Sequence, residues 1–147
     1  MDNKKGFEFL EHTADAYVAA YGRDLAEAFE NAAYAMFEVM TDARNVIPSI
    51  EDHVEVEAPD DYALLYNWLE ALLVKFDVDG MMFSKFKVNV DNTSNGSARA
   101  SLRARIWGEK FDPTRHVQKV GVKAVTYHRM EIAIKPEHVT LKFILDI

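Results

Sequence analysis

The residues of this chain best suited to chemistry lie at its two ends. Near the start, Glu11-His12-Thr13-Ala14-Asp15 joins two short apolar runs, and the last two residues are Asp146-Ile147, directly after an apolar run. If folding brings these ends together, Asp15, Asp146 and the α-carboxylate of Ile147 place three formal negative charges in one small volume. Clustered carboxylate oxygens suit a hard divalent cation, Ca²⁺ or Mg²⁺. Without a cation the acids would repel one another, raising a carboxyl pKa or loosening the C-terminus. Metal binding would relieve that repulsion and staple the end of the chain. Taken alone, Asp15 reads more simply as a turn or capping residue than as a metal ligand. His12 is a poor ligand for calcium, and a hydrogen-bonded structural histidine is its simpler role; a catalytic base is the alternative.

Other chemistries find little support. No cysteine is present, and His116 and His128 have no third partner at zinc spacing. The chain has neither a Gly-x-Ser-x-Gly nucleophile elbow nor a glycine-rich phosphate loop. Asp77-x-Asp79-Gly80 has the outline of a calcium loop, but Val88 stands where an EF-hand needs its glutamate. Lys123 sits between apolar neighbours in Val122-Lys-Ala-Val-Thr-Tyr127. It reads as an exposed strand lysine, or as a donor to a carboxylate or a partner's phosphate.

Charge is unevenly spread. The net charge is −7, which argues against a dedicated nucleic-acid binder. Yet residues 99–129 hold eight basic and two acidic side chains, a local balance of +6 that leaves −13 elsewhere. Within that segment Arg99, Arg103 and Arg105 alternate with Ala100, Leu102, Ala104 and Ile106. The alternation predicts a strand with an arginine row on its polar face. That row is a solvated face or a weak contact for RNA or an acidic partner.

The elements that must position these groups follow from periodicity. Residues 7–10 and 16–21 read as short strands. Asp24 followed by Glu27 is a capping-box pattern opening a helix that carries Leu25, Phe29, Ala32, Met36 and Met40 on one stripe to about Asp42. His53-Val-Glu-Val-Glu57 alternates as a strand. Asp60-Asp61 caps a second helix with Leu65, Trp68, Leu69, Leu72 and Phe76 inward, and Gly80 can close its C-terminus. Strands are predicted at 85–90 and 98–106 around an Asn95-Gly96 turn, then a loop over 108–119, an ambiguous stretch over 120–130 and a final hairpin ending at Leu145.

The bulk composition sets the frame. A chain of 147 residues with 49% hydrophobic and 12% aromatic side chains is long and apolar enough for one α+β domain, 1–147. The expected architecture is a sandwich of a mostly antiparallel sheet covered by the two amphipathic helices. Met1-Asp-Asn-Lys-Lys-Gly6 has no apolar run behind it, and no run approaches the ~18 residues of a membrane helix. A cytoplasmic protein without membrane contact is the expectation.

Four motifs together resemble the archease family: Phe9-Leu-Glu-His-Thr-Ala-Asp15, Trp107-Gly-Glu-Lys-Phe-Asp-Pro-Thr-Arg-His116, Val122-Lys-Ala-Val-Thr-Tyr-His128 and the terminal Leu145-Asp-Ile147. They stand in the family's order and at its length. One departure is Ala16-Tyr17, where family members commonly carry Ile-Gly. The resemblance implies calcium held by Asp15, Asp146 and Ile147, and it gives Lys123 a place in a hallmark motif. It implies an accessory protein, not an enzyme, that activates an RtcB-type tRNA-splicing RNA ligase by promoting its guanylylation and turnover. A chaperone-like effect on a tRNA methyltransferase is the related expectation. A metal-dependent hydrolase using Asp15 and His12 is the alternative of a different class.

Overall fold

The computed structural model describes residues 6–12, 15–92 and 98–147, leaving aside the side chains of Glu11 and His12. The order is β1 (Phe7–His12), β2 (Ala16–Gly22), α1 (Leu25–Met40), β3 (Ile50–Ala58), α2 (Asp61–Asp79), β4 (Met81–Asp91), β5 (Ala100–Lys110), β6 (Ala124–Lys135) and β7 (His138–Asp146).

Both helices begin where their caps predict. The Asp24 carboxylate accepts from the Glu27 N–H at 2.8 Å, while Glu27 reaches back to the Arg23 N–H at 2.6 Å, one residue before the usual reciprocal partner. Asp60 accepts from the Ala63 N–H at 2.8 Å, and Gly80 ends α2 at φ 70°, a conformation open to glycine at little strain.

The strands divide into two antiparallel sheets rather than the one expected, with orders β1-β2-β7-β6 and β3-β5-β4. Alternation in a sequence assigns faces to a strand but not neighbours, so the division could not be read from it. Each helix packs against both sheets, α1 on β2 and β4, α2 on β3 and β6. Phe29, Phe37, Trp68, Phe83 and Phe143 are fully buried between them. Each such side chain contributes roughly 1.5–3 kcal/mol by leaving water. The Trp68 indole N–H donates to the Phe29 carbonyl at 2.9 Å, tying α2 to α1 inside that core.

Two further boundaries differ from expectation. β5 runs on to Lys110 because Gly108 and Glu109 still pair with Ile50 and Met82, and the ambiguous stretch becomes strand from Ala124. The Asn95-Gly96 turn lies outside the described residues. Among the described residues no helix is long and apolar enough to cross a membrane.

Candidate functional site

The antiparallel register of β2 and β7 pairs Ala16 with Leu145. Asp15 and Asp146 each lie one residue beyond that pair, so residues 131 positions apart in sequence reach the same end of one sheet. On the other side of β7, Ala124 pairs with Asp146 and the Lys123 N–H donates to the Asp146 carbonyl at 2.7 Å. Asp15 is half-buried, whereas the Asp146 and Lys123 side chains are exposed. Ile147 packs against the core, which holds its backbone beside Asp146. His12 pairs with Ala16 on β1, but its side chain, with Thr13 and Ala14, lies outside the described residues.

The donor set at this end is therefore oxygen and anionic, as a hard cation requires. Among the described residues no group of three or more histidine, cysteine, aspartate or glutamate side chains is placed to hold a metal. Ile147, next to Asp146, brings a further backbone oxygen to this end.

The same end carries a cation that the sequence reading passed over. Between Thr126 and Glu131 the β6–β7 register slips, so that Tyr127, His128, Arg129 and Met130 stand against Phe143 alone. Such a bulge re-aims side chains. Arg129 adopts φ 58°, unusual for a residue other than glycine, and its guanidinium lies over the Tyr17 ring at 4.4 Å, two residues from Asp15. The signal was present as an arginine inside a stretch that fitted no single element.

Arg99, Arg103 and Arg105 lie elsewhere, on the β3-β5-β4 sheet. Arg99 precedes β5 rather than standing in it, since the strand starts at Ala100, and its Nε lies 3.5 Å from Glu57. Arg103 is flanked in register by Glu55 and Asn89. Arg105 bonds Glu51 at 3.1 Å, holding that carboxyl below its ordinary range, and covers the Trp107 ring at 5.0 Å. The row is thus matched by the glutamates of β3 and does not form an uncompensated basic stripe.

The Trp107–His116 motif builds a structural corner instead. Glu109 and His116 are both buried. Glu109 accepts from the Ile47 N–H at 2.8 Å, from Arg115 at 2.6 Å and from His116 Nε2 at 2.8 Å. His116 Nδ1 accepts from the Asp112 N–H at 2.9 Å, which leaves Nε2–H to donate. Burial opposes ionisation of Glu109, but the bonds from Arg115, Ile47 and His116 outweigh it and lower its pKa to about 2. Gly108 is required there, because a Cβ would sit 1.8 Å from the Met82 carbonyl oxygen.

Comparison with known proteins agrees with this architecture. The model of the archease protein family matches residues 7–147. Protein archease of Sulfurisphaera tokodaii is 50% identical over 141 residues, 96% of this chain and 98% of that protein. Protein archease of Methanothermobacter thermautotrophicus is 46% identical, covering 97% of this chain and 99% of its own. The solution structure of a Methanobacterium thermoautotrophicum protein superposes with a TM-score of 0.82 at 44% identity, over 97% of this chain and 99% of that one. A crystal structure from Thermotoga maritima, described as an archease and possible chaperone, shares the fold at a TM-score of 0.63 and 15% identity, over 95% of this chain and 96% of its own. Four motifs, the α+β architecture and matches over nearly the whole length make one case: the chain belongs to the archease family.

Proposed function

We propose that this protein is a metal-binding accessory protein, not itself an enzyme, that activates an RtcB-type tRNA-splicing RNA ligase in the cytoplasm by promoting its guanylylation and turnover. The observation that carries this reading is the β2–β7–β6 register, which gathers Asp15, Asp146, Ile147 and Lys123 at one sheet end. Asp15, Asp146 and the Ile147 carboxylate would hold Ca²⁺, or Mg²⁺ in its stead. A bound cation would add positive charge beside the acids of this end. Lys123 and Arg129 present donors beside it, suited to a carboxylate or phosphate of the partner. RNA contact through Arg103 and Arg105 is weak in this reading, because glutamates face that row.

The test is multiple-turnover RNA ligation by the cognate ligase with the wild type, Asp15→Ala and Asp146→Ala. Stimulation by the wild type and at least a tenfold loss in both variants is the expected result. No stimulation by the wild type removes the activator role, and equal stimulation by all three removes the role of the acids. Extending the chain past Ile147 by one glycine probes the terminal carboxylate separately.

A second reading, a chaperone-like modulator of a tRNA methyltransferase, draws support from the description of the Thermotoga maritima protein as a possible chaperone. Its mark would be a change in the methyltransferase's solubility or site choice with ligation untouched. Turnover of nucleotides or phosphoesters by the purified protein and metal alone would instead favour a hydrolase using Asp15 and His12.

A further inference from the structure

The second helix is apolar on two sides. Leu65, Trp68, Leu69 and Leu72 bury its inner stripe. On the outer side Tyr62, Tyr66, Glu70, Val74 and Val78 recur every fourth residue and so form one ridge. Tyr62, Val74 and Val78 are 42%, 48% and 74% exposed. The bulge in β6 extends that ridge: Tyr127 stacks on Tyr66 with ring centroids 4.5 Å apart and planes 6° from parallel, and is itself 53% exposed. Tyr62, Tyr66 and Tyr127 lie on one side of Glu70, and Val74 and Val78 on the other, so the ridge is a row of apolar groups interrupted by one acid rather than single scattered residues.

The sign of its charge selects the occupant. Glu70 stands in the middle of the ridge and hydrogen-bonds Tyr66, while the hydroxyl of Tyr127 lies in the field of Asp60 and Glu70. Asp77 is exposed farther along. Lys75, the basic residue of this helix, bonds Asp52 on β3 at 3.0 Å. A polyanion or an anionic bilayer would meet repulsion here. A second copy docking the same ridge about a two-fold axis would bring the acids Glu70 and Asp77 of one copy towards those of the other. An apolar row carrying lysine or arginine meets both the rings and the acids.

We propose that the outer ridge of α2, extended by Tyr127, docks a basic amphipathic helix of a protein partner. The ridge uses none of Asp15, Asp146, Ile147 or Lys123, so the proposal stands whether or not the ligase reading holds.

The test titrates the full chain, with its valine methyl groups labelled for NMR, with a synthetic leucine–lysine amphipathic helix and a leucine–glutamate helix of the same pattern. Shifts at Val74 and Val78 with the basic peptide only, and at least a tenfold weaker Kd for Glu70→Lys and Val74→Lys, are expected. Asp91→Lys, at the end of β4, changes net charge as Glu70→Lys does and should stay within twofold of the wild type. Equal loss in Asp91→Lys, equal binding of both peptides, or no shift at Val74 and Val78 would overturn the proposal. So would self-association of the wild type that Val74→Lys abolishes, or a single-stranded RNA that perturbs the same methyl groups.

Discussion

The acid end of the β1-β2-β7-β6 sheet and the Glu109 corner of the β3-β5-β4 sheet both descend from family motifs, yet they treat charge in opposite ways. In the corner one buried carboxylate receives three donors, Arg115, His116 and the Ile47 N–H, so its ionised form is matched on every side. At the acid end the register collects Asp15 and Asp146 at a half-exposed rim, with Lys123 and the Arg129 guanidinium nearby rather than buried against them. Matched buried charge of the first kind holds backbone segments in place, and breaking it strands the remaining partners. Carboxylates gathered at an exposed rim contribute less to the fold than buried ones, and their oxygens are of the kind a hard cation takes.

That contrast is sharpest under mutation. Glu109→Ala should destabilise the fold by about 3–5 kcal/mol in urea unfolding, since His116 and Arg115 lose their acceptor. Asp15→Ala and Asp146→Ala, measured without metal, should change stability by less than about 1 kcal/mol; equal losses at both places would break the distinction. The next largest effect is ligand-linked. Calcium at one hundred times its Kd should stabilise the wild type by about 2.7 kcal/mol, read as a rise in Tm, and leave Asp15→Asn and Asp146→Asn unshifted.

Acid titration separates the two regions again. The Glu109 carboxyl has a folded pKa of about 2, below its unfolded value, so the stability it contributes is complete above the ordinary glutamate range. That stability disappears as pH falls from that range through about 2. Glu109→Gln should flatten the pH dependence of unfolding across this window. Smallest of all, Arg103→Ala and Arg105→Ala should each alter stability by about 0–1 kcal/mol, because exposed ion pairs such as Arg105–Glu51 are weak. Neither should change affinity for RNA by more than twofold in a filter-binding titration, and a large salt-dependent loss would return that face to consideration.

Much of the local structure was legible in the residues. Asp24 and Asp60 mark the helix starts and Gly80 the end of α2, because capping chemistry is confined to a few neighbouring residues. The strand alternation of β5 correctly separated Ala100, Leu102, Ala104 and Ile106 from Arg103 and Arg105. The continuation of β5 past Gly108 was hidden, since that glycine serves close approach to the Met82 carbonyl rather than a turn. The buried role of Glu109 and His116 was hidden too, because it depends on Ile47, more than sixty residues earlier.

By itself, the order of residues determined where both helices and most of the strands lie, which of their faces is apolar, and which oxygen-bearing groups are available. It also carried the family likeness on which the expected ligand set rests. Only the tertiary structure decided that the strands form two sheets, that Asp15 and Asp146 each lie one step beyond the same residue pair, that a bulge brings Arg129 over Tyr17 and Tyr127 onto Tyr66, and that glutamates answer the arginine row. Periodicity is a short-range property of a chain, whereas pairing between distant strands is chosen by how all the apolar faces can be buried at once.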